Sequence, residues 1–238
     1  MSEVIVEKVS KTMDDLQVIA NISLSVKNGE FVVILGPSGC GKSTLFHIIS
    51  GLIMPDIGRV YINGSDWTGK TGQVGYMQQK DLLLASKNVQ TNIAIPLLLK
   101  GEETKLAYKK VQENLADFGL KGFENYYPRE LSGGMRQRAA LLRTFMFTKD
   151  ILLLDEPFAS LDAITRRKMH LWLKDLCISY NSSVLFITHD IEEALMLADR
   201  IYVLSNRPAS VKAEFHLNLH NSFSEKELLK IKILSLLE

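Results

Sequence analysis

The stretch Gly36-Pro37-Ser38-Gly39-Cys40-Gly41-Lys42-Ser43-Thr44 decides the fold of this 238-residue chain. It follows residues 31–35, a short apolar run rich in β-branched side chains that predicts a buried strand. It precedes residues 45–50, which predict a helix. The pattern G-x-x-x-x-G-K-[ST] between a strand and a helix is the phosphate-binding P-loop. The flanking elements favour this interpretation over a glycine-rich turn without a ligand.

Each residue type in this loop suits a polyphosphate. The glycines let the backbone turn its N–H groups inward, and the helix N-terminus adds partial positive charge. Lys42 can reach the β- and γ-phosphates, and the Ser43 hydroxyl can bind Mg²⁺. Nucleotide binding is therefore predicted for the whole loop: Gly36, Pro37, Ser38, Gly39, Cys40, Gly41, Lys42, Ser43 and Thr44.

The composition argues against several classes of protein. An apolar fraction of 46% supports a sizeable core, and a formal net charge of +1 gives no reason to expect nucleic acid as a partner. Cys40 and Cys177 lack metal or redox spacing, a usage typical of a reducing cytosol. No signal-peptide pattern is visible, and the apolar run at residues 93–99 is too short to cross a bilayer. We expect one domain over residues 1–238, with no added regulatory domain.

The chain predicts an α/β fold with two additions. An antiparallel layer is expected from strands at residues 3–9, at its edge, and 22–26. Residues 86–130 change to helical periodicity and predict an inserted helical subdomain. Further strands are predicted at residues 59–62, 73–77, 151–154, 183–187 and, as the last strand, 201–204. Further helices are predicted at residues 165–179, 192–200 and from Ser224 onward, the last packing through Leu228, Leu229, Ile231 and Leu234.

Two carboxylates, Asp155 and Glu156, follow the buried strand at residues 151–154. Such a pair is costly without a cation or hydrogen bonds, and Mg²⁺ beside a P-loop supplies the cation. Asp155 fits the acid on the metal side. Glu156 fits a general base that orients and deprotonates water.

Other polar side chains follow the neighbouring strands. Gln78 and Gln79 come after residues 73–77, at the strand end where α/β proteins present ligand groups. His189 comes after residues 183–187 and could contact a γ-phosphate or the attacking water. A structural role is the alternative for a lone histidine.

Leu131-Ser132-Gly133-Gly134-Met135 opens another helix. Ser132 can cap its N-terminus, and the two glycines expose backbone N–H groups. The segment is a second candidate anion site, with an ordinary capped helix as the alternative. Ser160-Leu161-Asp162 follows the carboxylates in a loop.

Taken in order, the P-loop, Gln79, residues 131–135, the carboxylate pair and His189 resemble the ATP-binding-cassette (ABC) ATPases over essentially the whole chain. The resemblance implies a RecA-like P-loop core, an antiparallel β subdomain and a helical subdomain. It also implies a head-to-tail dimer with two ATP molecules at its interface.

The resemblance also implies a role for each matching residue. Ser43, Gln79 and Asp155 would lie on the Mg²⁺ side. Glu156 would be the catalytic base, and His189 the switch histidine. Ser132, Gly133, Gly134 and Asp162 would act in trans, on ATP held by the opposite subunit.

Met135, where the family usually has glutamine, makes the chain similar to importer ATPases for nitrate, sulfonate and taurine, and to those for a pyrimidine precursor of thiamine. That branch implies a peripheral subunit on the cytoplasmic side of the plasma membrane, bound to integral-membrane permease subunits and served indirectly by a substrate-binding protein. A soluble ABC ATPase, for example in cluster assembly, and an exporter subunit are the alternatives. The solute is not specified.

Three features depart from the family or invite a separate hypothesis. Met13 stands where an aromatic side chain usually stacks on adenine, and Ala85-Ser86 stands where this branch often has Pro-Trp. Cys40, inside the phosphate loop, is either a reactive thiol or a small space-filling residue.

Overall fold

The fold rests on two β-sheets. The structure, a computed structural model, describes residues 3–217 and 223–237. Its strands are β1 (Val4–Met13), β2 (Leu16–Val26), β3 (Phe31–Leu35), β4 (Ile57–Ile62), β5 (Ser65–Asp66), β6 (Gly75–Met77), β7 (Ile151–Asp155), β8 (Ser183–Thr188), β9 (Arg200–Leu204) and β10 (Val211–His216). Its helices are α1 (Lys42–Ile49), α2 (Val89–Leu99), α3 (Thr104–Asn114), α4 (Gly133–Phe147), α5 (Ala163–Tyr180), α6 (Ile191–Leu197) and α7 (Phe223–Leu237), with a 3-10 turn at Pro128–Glu130.

The larger sheet positions the site. Its order is β10-β9-β3-β8-β7-β6, parallel from β9 to β6, with β10 antiparallel at one edge. Every residue of β3, β7, β8 and β9 is buried, as expected for parallel strands covered on both faces. The carboxyl ends of β3, β6, β7 and β8 share one edge of this sheet. The predicted α/β class is confirmed.

The smaller sheet is antiparallel, as predicted, in the order β2-β1-β4-β5. The prediction that residues 3–9 form its edge is wrong, because Val4 pairs with both Val26 of β2 and Ile62 of β4. β1 and β2 are also longer than predicted and meet in a tight turn. Asp14 and Asp15 form that turn with φ of +48° and +62°.

The helices α2 and α3 lie within the predicted range 86–130, and α2 packs against α4. Ile93 and Leu97 are buried, as expected for internal packing, while Leu99 is 82% exposed. The aromatic rings of Phe118, Phe145 and Trp172 join this region to the core.

The C-terminal part differs most from the prediction. The strand at residues 201–204 is not the last, because β10 follows and pairs with it. In α7, Ile233 is fully buried, whereas Leu228, Ile231 and Leu234 are exposed. Apolar residues of α7 occur on all faces of the helix, so their spacing in the sequence does not indicate which face is buried. Ser224-Glu225-Lys226-Glu227 also matches a capping box in the sequence, but the Ser224 side chain lies outside the described side chains. No described helix combines the length and apolar character needed to span a membrane.

Candidate active site

The P-loop connects β3 to α1, and its backbone requires glycine at two positions. Gly41 has φ of +130°, and a Cβ added there would lie 3.0 Å from Cγ1 of Val18. Gly39 has φ of +75°. The Lys42 side chain folds back on the loop, where its Nζ donates hydrogen bonds to the carbonyl oxygens of Gly36 at 2.7 Å and Pro37 at 2.9 Å.

A cavity of about 320 Å³ opens beside this loop. The sheet topology explains its composition, because β6 and β7 deliver polar side chains to the same edge as the P-loop. Ser43, Gln79, Asp155 and Glu156 therefore meet in one place, as predicted from the sequence. The full lining is Ser38, Gly39, Gly41, Lys42, Ser43, Thr44, Gln79, Asp155, Glu156 and Arg207.

Asp155 ends β7 and is only 6% exposed. Burial raises the pKa of its carboxyl group, and a hydrogen bond from Ser43 partly opposes that effect. The Tyr76 hydroxyl lies 3.5 Å from Oδ2 of Asp155, at the limit of a hydrogen bond. Burial and the Asp155 charge raise the pKa of Tyr76, so this phenol stays protonated.

The chemistry of these donors fits Mg²⁺. The metal prefers oxygen ligands and usually keeps several waters beside one or two carboxylates and substrate phosphates. Ser43, Gln79 and Asp155, which offer a hydroxyl, an amide oxygen and a carboxylate, line the cavity together with the P-loop. A cation there would also offset the cost of burying Asp155.

Glu156 lies between Gln79 and His189. Its Oε1 is 3.0 Å from Nδ1 of His189, and its Oε2 accepts a hydrogen bond from Nε2 of Gln79 at 3.3 Å. Its backbone N–H donates to the carbonyl oxygen of Ile187 in β8. Glu156 is thus in contact with His189, which the resemblance places on the water side, and with Gln79, which it places on the Mg²⁺ side.

His189 follows β8 with a side chain that is 55% exposed. The chain turns at once into α6, where the Asp190 carboxylate accepts hydrogen bonds from the N–H groups of Glu192 and Glu193. That cap fixes the direction of the chain after the histidine. His189 therefore follows the end of β8 and contacts the cavity through Glu156, although it does not line the cavity itself.

The residues predicted to act in trans do not line this cavity. Ser132 caps α4, where its Oγ accepts a hydrogen bond from the N–H of Met135 at 3.3 Å. Asp162 caps α5 by accepting from the N–H of Thr165, and that bond lowers the pKa of Asp162. A Cβ at Gly133 would lie 3.4 Å from Leu161, so the two segments are neighbours.

Cys40, Met13 and the Ala85-Ser86 pair differ in how exposed their side chains are. Cys40 is 2% exposed, which favours the space-filling interpretation over a reactive thiol. Met13 is 40% exposed beside the turn between β1 and β2, and it does not line the cavity. Ala85 and Ser86 are exposed in the segment before α2.

Arg207 is the residue of this cavity that the sequence analysis did not find. Its Nη2 donates a hydrogen bond to the carbonyl oxygen of Gly39 at 2.5 Å. In the sequence, 168 residues separate Arg207 from Gly39. The parallel pairing of β9 with β3 brings the two regions together.

The chain matches proteins of known family over most of its length. A family model described as "ABC transporter" matches residues 19–159. The formylaminopyrimidine import ATP-binding protein of Halalkalibacterium halodurans is 44% identical over 80% of this chain and 74% of its own length. The nitrate import ATP-binding protein of Synechocystis sp. is 41% identical, over 84% of this chain and 75% of its own length.

A solved structure shows the same likeness. It is a dimeric, post-hydrolysis state of an ATP-binding cassette bound to ADP and inorganic phosphate. It superposes with a TM-score of 0.77 at 31% sequence identity, covering 90% of this chain and 99% of its own. The RecA-like P-loop core expected from the resemblance is therefore confirmed, and the chain belongs to the ABC transporter family, as an ATP-binding subunit.

Proposed function

We propose that this ABC ATPase serves an importer, in which ATP-driven closure of a dimer is coupled to uptake of a small solute through a membrane permease. The observation that carries the catalytic part is the contact of Glu156 with both Gln79 and His189 at the P-loop cavity. The proposed role in transport is supported by the names of the relatives, which are import ATP-binding proteins.

The P-loop is the cradle of the triphosphate. Its N–H groups and the start of α1 offer donors and partial positive charge to the phosphates. The Lys42 ammonium, now bound to two carbonyl oxygens of its own loop, would exchange them for phosphate oxygens. Ser43, Gln79 and Asp155 would hold Mg²⁺, which neutralises charge that develops on the phosphates when it is bound.

Glu156 acts on the attacking water. Its carboxylate accepts a proton as the water oxygen approaches the γ-phosphorus. The hydrogen bonds from Gln79 and His189 orient that carboxylate before the reaction. The positions of these three groups depend on the ends of β6, β7 and β8, so the sheet itself preorganises the site.

The cavity of one chain lacks the donors of the residue 131–135 segment. Ser132, Gly133, Gly134 and Asp162 lie elsewhere in the same chain, at the starts of α4 and α5. A second copy, placed head to tail, would bring these groups to the γ-phosphate. The dimeric state of the related cassette supports this arrangement. Closure of the dimer and assembly of the catalytic site are then one event.

The transported solute is selected outside this subunit. Relatives of similar identity are named for solutes as different as nitrate and formylaminopyrimidine. The permease would select the solute, together with a substrate-binding protein that acts on the permease. The subunit itself would lie at the cytoplasmic face of the plasma membrane. The relatives' import names favour this function over a soluble ABC ATPase or an exporter subunit.

Coexpression with the permease encoded nearest to the gene tests the proposal. The tagged chain should copurify with the permease, and the complex in vesicles should take up solute only with ATP. A Glu156→Gln complex is the matched control, since it should assemble without uptake. A chain that hydrolyses ATP but never associates with a permease would contradict the transport function.

A further inference from the structure

We propose that Arg207 is a phosphate ligand of this site and supplies a second fixed cation for the polyphosphate of the bound nucleotide. This inference rests on the proposed nucleotide site. It assigns a binding role to a residue from the connection between β9 and β10, outside the P-loop and the strand ends that carry the other site residues.

The connection that carries Arg207 is rigid. Its two ends are joined by a hydrogen bond from the N–H of Ser205 to the carbonyl oxygen of Ser210 at 2.9 Å. The Ser205 hydroxyl bridges the inside of the turn and donates to the carbonyl oxygen of Pro208 at 3.1 Å. Arg207 is thus presented by a closed turn, which lowers the entropy lost when its side chain binds a ligand.

The same connection is attached to the wall of the P-loop. The N–H of Ala209 donates to the carbonyl oxygen of Val18 at 2.8 Å, and the N–H of Ala20 donates back to Ala209 at 2.9 Å. Val18 is the residue that a side chain at Gly41 would strike. The turn, the β2 strand and the phosphate loop therefore form one connected unit.

The guanidinium group retains capacity for a ligand. It has five N–H donors. Among the described residues, the hydrogen bond to Gly39 is the only one that this group makes. That bond holds the group beside the cavity, and the remaining N–H groups can donate to phosphate oxygens. Arginine often binds phosphate with two parallel hydrogen bonds.

The charge of the cavity points to the same role. Two cations, Lys42 and Arg207, line it together with two anions, Asp155 and Glu156. Without Arg207 the lining would carry a net negative charge and would repel an anionic nucleotide. Arg207 follows β9, which lies on the opposite side of β3 from β7 and its carboxylates, so Arg207 restores the balance at that side of the loop.

The test compares Arg207→Gln, Arg207→Lys and the wild-type full chain, by titration with Mg²⁺–ADP and with inorganic tripolyphosphate. Glutamine removes the charge and retains a side-chain amide donor. We expect Arg207→Gln to bind both ligands about tenfold more weakly, as is typical for a lost charge-assisted hydrogen bond. Lysine should recover part of the affinity, and the salt dependence of binding should decrease in the glutamine variant.

Two controls make the outcome specific. Asn206→Ala alters the same turn without a change of charge, and Lys109→Gln removes one exposed charge from α3. Both should bind within about twofold of the wild type, as surface changes away from a ligand do. If Arg207→Gln binds both ligands with wild-type affinity, Arg207 only supports the backbone at Gly39, and the inference is overturned. If the wild-type chain binds neither ligand, the nucleotide site itself is refuted.

Discussion

The backbone of Glu156 adopts a left-handed conformation, with φ of +43°. For a residue with a side chain this costs roughly 1–2 kcal/mol. Such strain persists only where the surroundings impose it, and here β8 holds the Glu156 N–H through Ile187. The strained turn directs the carboxylate out of the buried strand and into the cavity. Stability is thus given up at the residue that performs the proposed proton transfer.

Replacing Glu156 by glutamine removes the base but keeps the side chain's size. We expect Glu156→Gln to bind ATP normally and to hydrolyse it about 10²- to 10⁴-fold more slowly, the range for a positioned base. Equilibrium ATP binding and steady-state phosphate release measure the two effects. Glu192→Gln, at an exposed residue of α6, is the control and should be active. Turnover near the wild-type rate would remove Glu156 from its role.

Replacing Lys42 by alanine separates binding from chemistry in the opposite way. The Lys42 side chain is buried, and its ammonium lies within the loop that holds the phosphates. We expect Lys42→Ala to lose about tenfold or more in ATP affinity, because charge-assisted contacts to phosphate disappear. Calorimetric titration gives the affinity, and circular dichroism checks the fold. Unchanged affinity in a folded variant would contradict the cradle function of the loop.

At the scale of single elements, α5 and α6 enclose a buried histidine. His170 of α5 is 1% exposed and packs between the rings of Phe158 and Phe186. Its Nε2 is 3.9 Å from Oε1 of Glu193. The other carboxylate oxygen of Glu193, Oε2, accepts a hydrogen bond from the Thr188 hydroxyl. Burial, followed by the positive charge of Arg166, lowers the pKa of His170 to about 4.

This histidine makes stability depend on pH. Between pH 6.5 and about 4 the unfolded chain binds a proton at this position that the folded chain does not, so the free energy of unfolding falls as pH falls through that window. In urea unfolding from pH 7 to 4, wild type should lose roughly 3 kcal/mol that a His170→Gln variant does not lose. Parallel pH curves for the two proteins would contradict this assignment.

The elements predicted best from the sequence are those whose own residues, without distant contacts, determine the structure. The strands β3, β7 and β8 are largely apolar runs buried on both faces, and they lead directly to the P-loop, the carboxylate pair and His189. The turn at Asp14 and Asp15 was missed, because these residues adopt positive φ without the glycine that usually announces such a turn.

Features set by tertiary contacts were not accessible from the sequence. The buried face of α7 follows from the docking of Ile233, since apolar residues lie all around that helix. The position of β1 inside its sheet depends on pairing with β4, which lies far along the chain. Arg207 reaches the P-loop through the order of the larger sheet, in which β9 lies beside β3.

At the scale of the whole molecule, the proposed catalytic site comprises two surfaces. One is the cavity formed by the P-loop and the ends of β6, β7 and β8. The other comprises the starts of α4 and α5, where Ser132 and Asp162 act as helix caps in this chain. In the proposed dimer, each catalytic site is built from the first surface of one copy and the second surface of the other.

Mixing two inactive variants tests this claim most directly. Glu156→Gln damages the first surface, and Ser132→Arg damages the second. In a mixed dimer both defects fall in one site, and the other site is intact. Each variant alone should therefore be inactive, while the mixture should regain up to about a quarter of wild-type ATPase activity, as random pairing of two chains predicts. A mixture that stays as inactive as its separate components would contradict a site shared between two copies.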